Sequence, residues 1–105
     1  MATSAIKSQI EDISANLTTN KGTFVVKQAH RFGRLIVIAF EISLSQNLGP
    51  GNVFLTGIPS PKGRYLNIPV ISGGTTKIAY TDGGQLTAGV SMSTSVSGVL
   101  TYVEA

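Results

Sequence analysis

Side chains able to do chemistry are few in this sequence, and they are scattered. His30 is the only histidine. No single copy can therefore offer a histidine cluster, or a serine–histidine arrangement helped by a second histidine. Three copies of His30 around a symmetry axis could hold a metal or an anion, against the plainer account of a turn histidine. The absence of cysteine removes disulfides and thiolate metal sites, and no cofactor or metal is expected. Outside the N-terminal stretch the acids are Glu41, Asp82 and Glu104. Two carboxylates held ~5–10 Å apart can hydrolyse a glycosidic bond. Nothing in these spacings brings two together, and Asp82 suits the first position of a tight turn. The pieces GPGN, SGGT and DGGQ lack the Gly-Lys-Ser/Thr that opens a helix in a phosphate-binding loop, so they read as turns. Asn16-Leu17-Thr18 matches a glycosylation sequon, but Leu17 belongs to an apolar repeat and the match reads as chance. No catalytic residue emerges, and the expectation is a protein that is not an enzyme.

Recognition fits the residue types better than reaction. Tyr65, Tyr80 and Tyr102 can stack on sugar rings, with Arg64, Asp82 or His30 as hydrogen-bonding partners. The alternative is that these tyrosines are half-buried strand residues, and the lack of tryptophan weakens the sugar-binding case. The candidate ligand-binding set is Arg64, Tyr65, Asp82, Tyr80 and His30.

The elements that would position them are organised around Phe32 to Leu44, FGRLIVIAFEISL. At a period of two, one face is Phe32, Ile36, Ile38, Phe40, Ile42 and Leu44, interrupted by Arg34. The other is Leu35, Val37 and Ala39, turning polar at Glu41 and Ser43. A strand apolar on both faces calls for cover on both sides. Leu35 to Ala39 therefore needs a second sheet or another copy of the chain. Ahead of it, Ile6, Ile10, Ile13 and Leu17 recur at spacings of four, three and four, which predicts a helix over residues 4–18. Isoleucine at both seam positions favours trimers or tetramers over dimers; the bland account is one amphipathic helix lying on its own domain. The expected oligomerisation residues are Ile6, Ile10, Ile13, Leu17, Leu35 and Val37.

Gly22 suits a helix stop, and from Thr23 onward the pattern is strands and turns. Strands are expected at 23–29, 32–44, 52–56, 65–72, 75–81, 85–91 and 98–103. Pro69 argues for an edge or a bulge, and Gly73-Gly74 and Asp82-Gly83-Gly84 mark hairpins. In strand 75–81 the inward set is expected to be Thr76, Ile78 and Tyr80. The organisation is thus residues 1–22, an N-terminal helix and trimerisation segment, then residues 23–105, an antiparallel, jelly-roll-like β-sandwich of about seven strands.

Composition narrows the class further. Charged residues make up 12% against 42% hydrophobic, which is far from the signature of disorder. So few charges on so small a domain suggest apolar surface hidden by association. The net charge of +3 comes without a basic run or interleaved aromatics, so nucleic-acid binding has no support. No stretch approaches the ~20 apolar residues of a membrane span. MATSAIKSQIEDIS lacks the continuous apolar core of a secretory signal, and the protein reads as soluble.

From Gly33 to Gly63 the strand RLIVIAFEISL, the turn SQNLGPGNVFLTGIP and SPKGRYL follow one another. This order resembles the distal domains of bacteriophage tail-fibre and baseplate receptor-binding proteins. Ile58-Pro59 with Arg64-Tyr65 is the most specific piece, and GGTTKIAYTDGGQLTAGVSM and SGVLTYVEA are similar to their hairpin-rich endings. The resemblance implies a virion protein made in the host cytoplasm. It also implies a homotrimer whose helical bundle feeds a β-sandwich head, binding host-surface saccharide or another baseplate part. The competing expectations are a purely structural docking domain and a small bacterial carbohydrate-binding module.

Overall fold

A computed structural model of the chain describes residues 10–105. Eight strands run β1 (Ile10–Asp12), β2 (Gly22–Phe32), β3 (Leu35–Leu44), β4 (Val53–Thr56), β5 (Asn67–Ser72), β6 (Thr75–Asp82), β7 (Gln85–Ala88) and β8 (Ser95–Val103). They form one antiparallel sheet in the order β1-β2-β3-β8-β5-β6-β7-β4. The sheet curls around a single core cluster. The rings of Phe40 on β3 and Phe54 on β4 lie 5.9 Å apart, although those strands are far apart in the sheet order. The fold is mainly β, with no α-helix among the described residues.

Turn chemistry fixes the registers. Gly33-Arg34 closes the β2–β3 hairpin with Phe32 opposite Leu35, and Gly73-Gly74 closes β5–β6 with Ser72 opposite Thr75. Along β3 the even-numbered Ile36, Ile38, Phe40 and Ile42 are buried, and Val96, Leu100 and Tyr102 of β8 join them. Leu35 and Val37 on the other face are exposed, so the second cover expected for that face is not supplied by the described residues. Phe32 also departs from expectation. The turn at Gly33-Arg34 makes it the last residue of β2 rather than the first of β3, and it faces outward.

The predicted helix is corrected by the structure. From Ile10 the chain makes a three-residue strand, a 3-10 turn over Ser14–Asn16 and a bridge from Thr18 to Thr56. The apolar spacing is real, but it serves a different geometry. Ile13 and Leu17 drop into the protein's own core at 5% and 1% exposure, while Ile10 stays 48% exposed. Two heptads of isolated helix are marginal in water. Here neighbouring strands satisfy the same backbone: Ile13 N donates to Ala29 O at 3.0 Å, and Thr18 and Thr56 exchange bonds of 3.0 and 2.9 Å. Gly57 permits this approach. Its φ is +86°, and a Cβ there would lie 1.7 Å from Asn16 O. Ile6, with the rest of the expected helix, lies outside the described residues.

The inward set expected for β6 is also corrected. Ala79 and Thr81 are buried, whereas Thr76 and Ile78 are exposed and Tyr80 is half-buried. Pairing with β5 and β7 fixes this parity, and the buried threonine is tolerated because its hydroxyl is fully used.

Candidate functional site

That hydroxyl builds one end of the molecule. Thr81 Oγ1 donates to Arg64 O at 2.9 Å and accepts from Leu66 N at 2.7 Å. Thr81 N donates to Leu66 O at 2.9 Å, so the segment 64–66 is pinned to β6 by three bonds. Pro61 begins the turn that brings it there: Arg64 N donates to Pro61 O at 2.9 Å, and Arg64 itself takes a left-handed φ of 70°. A non-glycine residue seldom adopts that conformation, and the Thr81 bonds hold it.

Pinned this way, Arg64 Nε meets Asp82 Oδ1 at 2.8 Å and the guanidinium carbon stands 5.5 Å over the Tyr65 ring. The hydrogen bond to Asp82 raises the guanidinium pKa above its ordinary value, with the charges of Tyr65 and Asp82 adding to it. Tyr65 is 61% exposed. Tyr80 precedes Asp82 by two residues on β6, so it shares the same face. The structure thus brings Arg64, Tyr65, Asp82 and Tyr80 to one end. A cation–aromatic pair beside a carboxylate offers a ring face, donors and an acceptor.

His30 does not join them. It lies on β2, opposite Asp12 on β1 and Val37 on β3, and three strands separate β2 from β6 in the sheet. Asp12 accepts a hydrogen bond from Ser14 N at 2.9 Å. That bond, more than the charge of His30, holds its carboxylate below the usual range. Tyr102 points inward, where its hydroxyl donates to Pro59 O at 2.7 Å. Burial, followed by the charge of Glu104, pushes its phenol well above the ordinary tyrosine value. Glu104 pairs with Arg31, which also reaches Glu11 at 3.3 Å. The acids Glu41, Asp82 and Glu104 thus stand in three separate settings.

A second feature is a surface. Register places Ile10, Phe32, Leu35 and Val103 side by side across β1, β2, β3 and β8. All four are 40–48% exposed. Val37 continues this row on β3, and Val99, Ile71 and Ile78 extend the apolar outer face toward β5 and β6. Leu35 and Val37 were legible as candidates. Phe32 was assigned to the wrong face, and nothing in the alternation of Val99 and Val103 with Leu100 and Tyr102 said which set turned inward. In comparisons with protein-family models, curated proteins and solved structures, nothing matches this chain.

Proposed function

We propose that this protein is a non-enzymatic bacteriophage tail or baseplate component that assembles as a homotrimer. Its curled sheet serves as a β-sandwich-like head, with the Arg64–Tyr65–Asp82 end offered to host-surface saccharide. The observation that carries the assembly part is the row Ile10–Phe32–Leu35–Val103, four exposed large apolar side chains in register on one face. Contiguous apolar surface of this kind marks an association site more often than free surface. The tail assignment draws on the order of RLIVIAFEISL, GIP and SPKGRYL described above. The two parts support each other mechanistically, because a weak site on each head gains avidity when three copies meet a repetitive surface. Ile10, Ile13 and Leu17 form no α-helix, so association is argued from the sheet face alone.

A second reading, docking to another tail protein without host contact, is favoured by Val99, Ile71 and Ile78. These lie on the same face but away from the row, as apolar surface that a trimer through the row would leave open.

Solution mass by light scattering tests the assembly on the chain and on Leu35→Glu. Fully burying a large apolar side chain is worth roughly 1.5–3 kcal/mol. Each residue of the row, nearly half exposed, holds about 1 kcal/mol in reserve. Burying a charge in its place adds a further cost. A trimer that becomes a monomer with an unchanged circular dichroism spectrum is the expected result; a monomeric parent chain at about 0.1 mM refutes it. Glycan binding by the chain, lost in Tyr65→Ala, is expected of the adhesin reading. Silence toward glycans with an intact trimer leaves the docking reading standing in its place.

A further inference from the structure

Strands β5 and β8 share only the pair Ile71–Ser97. One step further the same antiparallel register sets Pro69 opposite Val99. In the β5–β6 hairpin Ser72 and Thr75 flank a two-residue turn, so odd-numbered residues of β5 direct their main-chain groups toward β8. Pro69 has no amide hydrogen to give there. The ladder stops, and a trough of about 560 Å³ opens beside it. Val26, Ala39, Pro69, Ile71 and Val99 supply apolar walls. This volume lies within the range of ordinary ligand sites.

One side chain in the trough is out of keeping with the rest. Glu41 is its only ionisable group, is half-buried, and makes no ion pair among the described residues. Lys27 on the adjacent strand lies over the Phe24 ring at 5.3 Å instead, and Lys77 lines a different, polar cleft. Thr76 and Ser97 add hydroxyls to the trough, and the carbonyl of Val99 lacks the amide that Pro69 cannot provide. Apolar walls around acceptors and no cation suit an ammonium group on a hydrocarbon stem.

We propose that this trough binds a lysine side chain of a partner protein, carried on an apolar segment, with the ammonium at Glu41 and the methylenes against Val99, Ile71 and Pro69. Charge complementarity selects the occupant: a carboxylate in an apolar trough, without an ion pair among the described residues, is matched by a cation. This inference does not depend on the trimer. Glu41 lies six residues beyond Leu35 on β3, about 20 Å at ~3.3 Å per residue.

The test is a nitrogen-15 amide NMR titration of the Leu35→Glu chain, in which the assembly row is disabled, with the peptide acetyl-Val-Lys-Val-amide. Shifts confined to Ala39, Glu41, Ile71, Ser97 and Val99 are expected. Binding should weaken about tenfold in Glu41→Gln, as expected for loss of a charge-assisted bond, and fall with added salt. Val99→Lys, which seats a cation in the trough, should abolish it. Equal binding of acetyl-Val-Glu-Val-amide, or unchanged affinity in Glu41→Gln, overturns the proposal. So do trough shifts that grow with protein concentration without peptide, which would make a second copy the occupant. Shifts with hexylammonium but none with the lysine peptide overturn it in favour of a small-amine site.

Discussion

Leu17 separates an intermolecular seam from an intramolecular core, and replacing it with alanine puts a number on the difference. It is 1% exposed within the core and follows the 3-10 turn that leads to the Thr18–Thr56 bridge. A buried Leu→Ala change removes the transfer energy of the lost groups and leaves a cavity, together about 2–5 kcal/mol. The segment is held at both sides by main-chain bonds to Ala29 and Thr56, so collapse into the cavity is restricted and the expected loss is about 3 kcal/mol. For a domain of this size, with a urea slope of roughly 1–3 kcal/mol/M, the unfolding midpoint should fall by about 1.5 M. Ile10→Ala, measured in the Leu35→Glu chain whose apolar row is disabled, is the internal control. At 48% exposure it should cost under about 1 kcal/mol, although both residues occupy the same heptad pattern. The assay is urea unfolding followed by circular dichroism at two protein concentrations tenfold apart. A Leu17→Ala loss below about 1 kcal/mol refutes the core assignment. So does a midpoint shift, relative to the parent chain, that depends on concentration, because an intermolecular contact obeys mass action.

Thr81→Val should cost about 1–3 kcal/mol, because it strands Leu66 N–H and leaves Arg64 C=O only its 3.3 Å bond from Gly83 N; crystallography or NMR of the variant should show Arg64 released from its left-handed φ. Gly57→Ala forces a side chain to φ +86° and drives its Cβ into Asn16 O; thermal unfolding should report a loss of at least ~1–2 kcal/mol. Tyr102 gives an alkaline prediction. Its folded pKa is raised above the ordinary value of 10.0, so the native state holds its proton where the unfolded chain has released it. Its contribution is therefore complete below pH 10.0 and is lost as the pH climbs above that value toward the folded pKa. Urea midpoints measured from pH 8 to pH 11 should show this decline in the parent chain and a shallower one in Tyr102→Phe.

The hairpins were readable because their causes are local. Gly73-Gly74 and the glycines after Asp82 set turn geometry within a few residues, and a period of two ran unbroken through β3, although the turn that precedes β3 falls at Gly33-Arg34, inside the expected strand 32–44. The Arg64–Tyr65–Asp82 grouping was legible as residue types, since a loop and a hairpin turn rich in polar residues stood out from apolar strands. The turn that joins them was not. It depends on Thr81, which alternation alone counted on the outward side.

Ile10, Ile13 and Leu17 mark the limit most clearly. Their spacing identifies apolar residues with a shared purpose, and the sequence by itself determined that much, along with the β-rich class and the hairpin turns at Gly73-Gly74 and after Asp82. Only the tertiary structure decided whether that purpose was a helix seam or the closing edge of a sheet. Burial energy rewards both outcomes alike, and the open backbone groups of β2 and Thr56 tipped the choice toward pairing. The same reason governs the trough. Pro69 announces a missing hydrogen bond in any context, but its consequence depends on which strand lies opposite, and β8 arrives there from the far end of the chain.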